Sequence, residues 1–214
     1  MPFILNQHHS IANQMLAELR DKNLQQDRLR FRRNMERLGS ILAYEISRAF
    51  SFHPENITTP LGTSVVHVPD TQPVLITVLR AGLPFFQGFL QLFDHADCGF
   101  IGAFREEGKD DVSIALNYAT SPSLAGRQVI VIDPMLATGK SFVKAVTALL
   151  KYGRPAHIHI ASLVAAPEGV SFIDKNIEVP STIWTCALDE RLDEHSYIVP
   201  GLGDAGDLCY GEKL

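Results

Sequence analysis

Cysteine is scarce in this chain of 214 residues, and the few cysteines present do not suit a cross-linked fold. Cys98, Cys186 and Cys209 are odd in number, lie far apart and form no C-x-x-C pair. A disulfide framework needs paired cysteines and a zinc site needs clustered ligands, so neither is indicated. We therefore expect a reduced, cytoplasmic setting for the protein.

Long apolar runs are also missing. No uninterrupted run approaches the roughly 20 apolar residues that a membrane-spanning helix requires. At the N-terminus only Phe3–Leu5 is apolar before Asn6, which is too short for a signal peptide. These absences predict a soluble chain with no membrane partner.

Positive charge is in deficit, because 19 Lys and Arg stand against 24 Asp and Glu and leave a formal net charge of −5. Nonspecific duplex binding depends largely on basic side chains that neutralise phosphates, so this balance argues against nucleic acid as the main partner. The arginine-rich run Asp27–Arg33 resembles an RNA-binding arm in composition. A solvated helix face is the preferred interpretation of that run.

The rest of the composition, 46% hydrophobic and 20% charged, is typical of a globular protein, and the length predicts one domain over residues 1–214. Residues from about 10 to 50 have helical spacing and predict two helices divided near Asp21–Asn23. From about 70 to 188, apolar runs alternate with helical stretches, which predicts an α/β fold with a mainly parallel central sheet flanked by helices. The predicted strands are Val74–Leu79, Gly99–Phe104, Val129–Ile132, Ile158–Val164 and Thr182–Leu188, and the predicted crossover helices are Pro84–Phe93, Ser141–Tyr152 and Glu168–Asp174.

Three charged residues fall at or near the ends of predicted strands. Arg80 follows the first strand, Arg105 the second and Asp133 the third. Ligands of such sheets bind at the carboxyl ends of the strands. These three side chains are therefore candidate site residues.

The segment after Asp133 has the properties of an anion-binding loop. Thr138–Ser141 offers backbone N–H groups, two hydroxyls and an ammonium, and a helix starting at Ser141 would direct its positive dipole end at an anion. The nucleotide P-loop requires a glycine five positions before Gly139, where this chain has Pro134, which has no N–H. A phosphoribosyl pocket is the preferred interpretation, with Asp133 on the ribose hydroxyls, and a bare strand-to-helix turn is the alternative.

Three separated blocks carry a family resemblance. Val78–Leu83 is similar to I-L-R-A-G-L, Asp133–Ser141 is similar to D-P-M-L-A-T-G-G-S, and Tyr197–Asp207 reads Y-I-V-P-G-L-G-D-A-G-D. On these blocks the chain resembles the uracil phosphoribosyltransferases, which are type I phosphoribosyltransferases, and weaker similarity extends from about Leu24 to the end. The resemblance implies the type I fold, with N-terminal helices and a C-terminal hood over the base at about residues 189–214.

The resemblance implies transfer of the phosphoribosyl group from 5-phosphoribosyl 1-diphosphate (PRPP) to N1 of uracil, giving UMP and diphosphate in pyrimidine salvage. Asp133, Arg105 and Asp204 would act in catalysis, and Arg80 with Arg105 would contact the diphosphate. Cleavage at C1 develops oxocarbenium character, so no nucleophilic side chain is required. Mg²⁺ is the expected cofactor, held by the diphosphate rather than by direct protein ligands, with Asp204 as the one candidate contributor. The implied PRPP-binding set is Arg80, Arg105, Asp133, Pro134, Met135, Leu136, Ala137, Thr138, Gly139, Lys140, Ser141 and Asp204.

The C-terminal block is the candidate uracil site. Pro200–Asp207 is too glycine-rich for a helix or a strand, which predicts backbone groups left for a ligand. The edge of uracil alternates carbonyl acceptors with an N–H donor. By the resemblance, main-chain groups of Ile198, Gly203 and Ala205, with Asp204 beside them, would match this edge and exclude the amine of cytosine. On composition alone, a surface turn is the alternative.

The chain departs from the family pattern in four places. Lys140 replaces a glycine, Pro84–Phe86 replaces smaller residues, and Leu208–Tyr210 replaces a basic residue and a phenylalanine. Residues 108–122 have no clear counterpart of the family's mobile segment, with its tyrosine and lysine. These departures bear on loop geometry near both substrates and on closure over the diphosphate.

Two rival functions belong to other classes. A catalytically weak relative would bind PRPP or UMP and regulate pyrimidine genes through RNA, which the acidic charge balance opposes. A uridine or nucleotide kinase would consume ATP, which Pro134 opposes. The resemblance further implies a homodimer or larger homo-oligomer and makes GTP a candidate activator. His157 and His159 share a strand face, where ordinary packing is preferred over a metal pair.

Overall fold

The computed structural model describes residues 1–106 and 113–212, with the backbone alone for residues 103–106 and 113–117. Within these ranges, eight strands form a central sheet in which every pairing is parallel except that of β5 with β6. The sheet order is β1-β10-β9-β7-β4-β5-β6, and β8 also pairs with β9. The strands are β1 Phe3–Ile4, β4 Val74–Leu79, β5 Asp97–Glu106, β6 Ser113–Thr120, β7 Gln128–Ile132, β8 Met135–Leu136, β9 His157–Ala165 and β10 Ser181–Leu188.

Helices cover both faces of this sheet. They are α1 Ile11–Arg20, α2 Arg28–Ser47, α3 Gly82–Leu90, α4 Lys140–Leu149, α5 Pro167–Asn176 and α6 Ala205–Tyr210. Successive residues of a strand point to opposite faces, so Ile130 packs with the helices α1 to α3 while Val129 and Val131 pack with α4 and α5. The predicted α/β fold with a mainly parallel sheet is confirmed. None of the helices in the described part is long and apolar enough to cross a membrane.

The predicted elements of the core are confirmed with small shifts at their ends. β4 has the predicted bounds, and the predicted N-terminal helices are α1 and α2, separated by residues 21–27. The helix predicted from Ser141 begins one residue earlier, at Lys140, and a 3₁₀ turn at Leu150–Tyr152 follows it. The sequence did not predict the short strand β1 or the antiparallel strand β6.

A hairpin outside the central sheet was not predicted either. Its strands are β2 Phe52–Thr59 and β3 Gly62–Pro69, and they pair only with each other. Every residue of both strands is exposed except the half-buried Val68. With both faces in solvent, the hairpin has no buried side and therefore no simple alternation of apolar and polar residues to reveal it.

The prediction that Pro200–Asp207 forms no helix or strand is wrong at its C-terminal end. Helix α6 begins at Ala205, and Asp204 is its N-cap. The Asp204 Oδ1 accepts from the N–H of Gly206 at 2.8 Å and of Asp207 at 3.0 Å. These bonds satisfy amides of the first turn and compensate for the low helix propensity of Gly206. A second hairpin, β11 Arg191–Leu192 with β12 Ile198–Val199, precedes this helix.

The direction in which the chain builds the sheet reverses between β4 and β7. From β4 the chain passes through α3 to β5 on one side, whereas from β7 it passes through α4 to β9 and then through α5 to β10 on the other. The crossovers therefore leave a crevice at the carboxyl ends of β4 and β7, where ligands of open α/β sheets bind.

A buried imidazole lies at the other end of the sheet. His159 Nδ1 accepts from Trp184 Nε1 at 3.1 Å, and His159 Nε2 bonds Gln128 Oε1 at 3.1 Å. Burial, assisted by the neighbouring His157, lowers the pKa of His159 from 6.5 to about 3. In the part of the chain described, no three His, Cys, Asp or Glu side chains are grouped as metal ligands. His157 Nε2 lies 3.0 Å from Thr182 Oγ1, and its ring centroid lies 4.7 Å from that of His159, so both histidines contact neighbouring strand residues.

The depressed pKa of His159 predicts acid sensitivity. The unfolded chain takes up a proton at this histidine below pH 6.5 while the folded protein does not, so the free energy of unfolding falls as the pH falls toward 3. We expect wild type to lose about 2 kcal/mol more stability than His159→Gln between pH 7 and pH 5, measured by urea unfolding. His67→Gln, at an exposed position of β3, is the control and should behave as wild type. Equal losses in wild type and His159→Gln would contradict this account.

Candidate active site

A cavity of about 670 Å³ occupies the crevice at the carboxyl ends of β4 and β7. Three segments form most of its wall: the end of β4 with the following loop, the loop after β7 with the start of α4, and the C-terminal segment 189–212, which we call the hood. The lining residues are Val78, Leu79, Arg80, Ala81, Asp133, Met135, Ala137, Thr138, Gly139, Ser141, Phe142, Ser196, Tyr197, Ile198, Gly203, Asp204, Ala205, Gly206 and Glu212.

Asp133 lies directly after β7 and contributes a half-buried carboxylate to the cavity wall. Its N–H donates to the carbonyl of Ala161 on β9 at 3.1 Å, and its Oδ1 accepts from the N–H of Met135 at 3.3 Å. The hydrogen bond to Ala161 thus extends the pairing of β7 with β9 by one residue, and the N–H of Met135 orients the Asp133 side chain. A carboxylate in this position can accept hydrogen bonds from a pair of sugar hydroxyls.

The loop after Asp133 is fixed to the sheet through its main chain. The Pro134 carbonyl accepts from Leu163 N and Val164 N at 3.0 and 3.1 Å, and the Leu136 carbonyl accepts from Ala166 N at 2.9 Å. These bonds explain why Pro134 and Leu136 are buried and do not line the cavity. Lys140, the first residue of α4, is half-buried and is not among the lining residues either.

The turn into α4 presents the polar groups of the loop to the cavity. Gly139 is the N-cap of α4 with φ of 77°, and a Cβ at this position would come within 2.8 Å of the carbonyl of Gly169 on α5. Only glycine meets both conditions. Thr138 and Ser141 bring hydroxyls to the wall on either side of it, and the N-terminal amides and dipole of α4 favour an anion there.

Arg80 stands on the opposite wall, at the start of the loop after β4. The loop folds back tightly, because a Cβ on Gly82 would lie 2.4 Å from Thr77 Oγ1 and 3.1 Å from the Ile132 carbonyl. Arg80 Nη2 lies 3.3 Å from Asp207 Oδ1, so this guanidinium joins the β4 loop to the hood. The peptide bond between Leu79 and Arg80 is cis. The Arg105 backbone belongs to β5, and its side chain lies outside the described part of the structure.

The hood brings all four predicted uracil-binding residues, Ile198, Gly203, Asp204 and Ala205, to the cavity wall. Ile198 is buried in β12, and Gly203 has φ of 89°. The Oδ1 of Asp204 caps α6, which leaves Oδ2 as the oxygen available to a ligand among the described contacts. The hood therefore presents main-chain groups and one carboxylate oxygen to the same cavity as Asp133.

Several lining residues were not predicted as site residues. Leu79, Ala81, Tyr197 and Gly206 lie inside two of the sequence blocks that pointed to the site, so the blocks themselves carried the signal. Phe142 and Glu212 had no such signal, because they reach the cavity only through the packing of α4 and the path of the chain after α6. Of the segment 108–122, residues 108–112 lie outside the described residues, and Ser113–Thr120 is β6.

Comparison with known proteins identifies the family of this chain. A model described as uracil phosphoribosyltransferase matches residues 6–212. A protein of Porphyromonas gingivalis named uracil phosphoribosyltransferase is 49% identical over 211 residues, covering 98% of each chain. A protein of the same name from Thermococcus gammatolerans is 38% identical over 204 residues, covering 94% of this chain and 89% of its own. The solved structure of the AQ2163 protein from Aquifex aeolicus is similar with a TM-score of 0.86 and 31% identity, covering 99% of this chain and 98% of that one.

The contact between Gly139 and Gly169 generates a test of the loop. Gly126 also has positive φ, 70°, but a Cβ there would have no atom within 4 Å, so it is the matched control. We expect Gly126→Ala to cost about 1 kcal/mol of unfolding free energy for backbone conformation alone. Gly139→Ala should cost about 1–3 kcal/mol more, because the methyl group overlaps the Gly169 carbonyl. Urea unfolding measures both variants, and equal costs would contradict the packing described here.

Proposed function

Because this chain belongs to the uracil phosphoribosyltransferase family, we propose that its cavity binds PRPP and uracil together and forms UMP and diphosphate. One observation carries this assignment of the site. The loop after β7 and the hood, far apart in the sequence, line one cavity at the point where the sheet order reverses. One wall suits a sugar phosphate and the other suits a flat, hydrogen-bonding base.

On the phosphoribosyl side, the turn into α4 binds the 5-phosphate. Amides at the start of α4 and the hydroxyls of Thr138 and Ser141 are its donors. Asp133 accepts hydrogen bonds from the ribose hydroxyls and so fixes the sugar ring. Arg80 binds the diphosphate, where a guanidinium fork matches the geometry of phosphate oxygens. Arg105 keeps the same assignment as a proposal.

On the base side, the main chain of the hood reads the edge of uracil. Backbone groups at Ile198, Gly203 and Ala205 face the ring. On the edge of uracil, a backbone N–H can donate to a carbonyl oxygen of the base, and a backbone C=O can accept from the N–H of the base. A fixed order of such groups rejects cytosine, whose exocyclic amine would oppose a donor and leave buried polar groups unpaired.

The reaction needs charge stabilisation rather than a nucleophilic side chain. As the bond from C1 to the diphosphate breaks, positive charge develops on the ribose and negative charge on the leaving group. Asp133 and Asp204 place carboxylates near the sugar, and Arg80 places a cation near the diphosphate. Holding uracil and PRPP in one cavity also supplies the orientation that a bimolecular transfer requires.

Magnesium fits this donor set as a companion of the substrate. Asp133 and Asp204 are the two aspartates of the cavity wall, and no larger group of ligands is found in the part of the chain described. Mg²⁺ commonly binds through substrate phosphates and one or two carboxylates and retains several waters. When bound, it would neutralise charge on the diphosphate, with Asp204 as the candidate protein contributor.

The regulatory alternative gains no support from the arginine-rich segment. Arg30 pairs with Glu18, Arg33 pairs with Glu36, and Arg32 donates to the carbonyl of Cys209. These guanidinium groups bond to other residues of the protein. The segment is therefore part of helix α2, as preferred from the sequence, and is not a free basic arm.

A homodimer or larger assembly is the proposed oligomeric state, and the β2–β3 hairpin is its proposed contact. Leu61 at the tip is fully exposed, and Val65 is 62% exposed. An apolar surface of this kind, projecting from the domain, is typical of an interface. GTP activation is proposed from the family resemblance, and a cytoplasmic location is proposed from the cysteine pattern, with all three cysteines free.

Formation of labelled UMP from radiolabelled uracil, PRPP and magnesium tests the activity. We expect Asp133→Asn to lower kcat/KM by about 10²–10³ because the ribose loses its charged partner. Asp174→Asn, at an exposed position of α5, is the control and should match wild type. Cytosine, hypoxanthine and orotate should give no nucleotide. Absence of UMP from wild type, with RNA binding in its place, would establish the regulator instead.

Sedimentation velocity tests the assembly. Leu61→Asp should shift wild-type oligomers toward smaller species, since a charge desolvated at an interface is costly. Leu29→Asp, at a 62% exposed position of α2, is the matched control and should leave the assembly unchanged. An oligomer that survives Leu61→Asp intact would place the interface elsewhere.

A further inference from the structure

A largely buried ion pair outside the cavity joins the N-terminal helices to the hood. Arg20 ends α1, and Asp189 directly follows β10. Arg20 Nη2 lies 2.6 Å from Asp189 Oδ1, and Arg20 Nη1 lies 2.9 Å from Asp189 Oδ2. The Asp189 side chain is only 5% exposed and that of Arg20 is 23% exposed. Neither residue is among those that line the cavity.

The pair holds both polar groups of one residue in the hood. The N–H of Gly201 donates to Asp189 Oδ2 at 2.8 Å, and the carbonyl of Gly201 accepts from Arg20 Nη1 at 3.0 Å. Charge assistance makes these bonds stronger than bonds between neutral groups. The Gly201 backbone is thus held by one side chain from the end of α1 and one from the first residue of the hood.

The position of Gly201 in turn determines that of Ile198. Gly201 has φ of 61°, and a Cβ there would lie 2.1 Å from the Ile198 carbonyl, so the two backbones are in close contact. Next to Ile198, the Val199 carbonyl accepts from Glu190 N at 3.0 Å, which links the turn to the residue after Asp189. Gly203, two residues beyond Gly201, lies on the cavity wall together with Ile198.

We infer that Arg20 and Asp189 are positioning residues for the base. From outside the cavity they fix the main chain at Gly201, and in this way they set the affinity for uracil. This inference rests on the proposed function, because it assigns the main chain at Ile198 and Gly203 to uracil. The phosphate loop after β7 is held by β9 and α5 and not by this pair. Loss of the pair therefore weakens recognition of the base and leaves recognition of the sugar phosphate intact.

Arginine is required in this arrangement because three acceptor atoms surround one side chain. Its planar fork donates to both oxygens of Asp189 and to Gly201 at once, whereas the single ammonium of lysine does not match that geometry. Arg20→Lys keeps the charge and removes the fork. Asp189→Asn keeps the shape and removes the negative charge.

A matched control pair lies on the same helix. Glu18 of α1 also accepts two hydrogen bonds from one guanidinium, that of Arg30 on α2, with Nε and Nη2 at 2.9 and 2.7 Å from its oxygens. This pair joins α1 to α2 instead of to the hood. Arg30→Lys thus makes the same chemical change without touching Gly201.

Titration calorimetry with two ligands separates the base from the sugar phosphate. UMP occupies both halves of the cavity, whereas ribose 5-phosphate occupies only the half formed by the loop after β7. For Arg20→Lys and Asp189→Asn, we expect the Kd of UMP to rise by about tenfold or more while the Kd of ribose 5-phosphate stays within about twofold of wild type. Arg30→Lys should change neither value.

The ratio of the two constants is measured within each sample, so partial loss of folded protein does not affect it. Equal weakening of both ligands, or the same ratio in Arg20→Lys and wild type, would overturn the positioning role. Wild type that binds UMP no more tightly than ribose 5-phosphate would overturn the proposed uracil site itself. The two failures are therefore distinct.

Discussion

The parallel pairing of β4 with β7 determines where the cavity lies, because Arg80 and Asp133 follow these two strands. Its register places Thr77 beside Ile132, the last residue of β7, and β4 ends shortly beyond this pair at Leu79, so Arg80 and Asp133 leave the strands at one edge of the sheet. Thr77 Oγ1 donates to the Ile132 carbonyl at 3.3 Å at the buried end of this pair. Because the chain builds outward from β4 and β7 in opposite directions, the crossover helices α3, α4 and α5 leave this edge uncovered, and the crevice stays open.

Different kinds of hydrogen bond hold the two halves of the cavity in place. The proposed phosphate half is attached to the sheet, since main-chain carbonyls of its loop accept hydrogen bonds from β9 and from Ala166, the residue after β9. Gly139 in this loop also packs against Gly169 on α5. The base half lies outside the central sheet and is held largely by charged side chains. Arg20 binds Asp189 and Gly201, Arg32 binds the carbonyl of Cys209, and Arg80 binds Asp207.

This division suits a transfer between two substrates. In the proposed site, a phosphate and a diphosphate present dense negative charge to a frame of amides and a helix dipole that is already in place. A neutral base offers only a few hydrogen bonds, so its proposed recognition by the hood depends on the order of donors and acceptors there. Arg80 belongs to both halves, because the guanidinium assigned to the diphosphate also contacts Asp207 at the start of α6.

Local patterns in the sequence were enough to predict several features of the fold and the site. Continuous apolar runs identified five strands of the core, Pro134 excluded a nucleotide P-loop, and the three blocks pointed to the cavity residues around Arg80, Asp133 and Ile198. Helix α6 was missed because glycine content suggested an irregular segment, whereas the cap formed by Asp204 decides the helix.

The contacts between distant segments could not be predicted from local patterns. Arg20 and Asp189 are 169 residues apart, and no local pattern around either residue indicates the other as its partner. Their pairing depends on the packing of α1 beside the end of β10. The exposed hairpin was not predicted because it has no buried face, and its strands therefore show no alternation of apolar and polar residues. Local periodicity reports which side of an element is buried, but the partner that buries it is chosen by the whole chain.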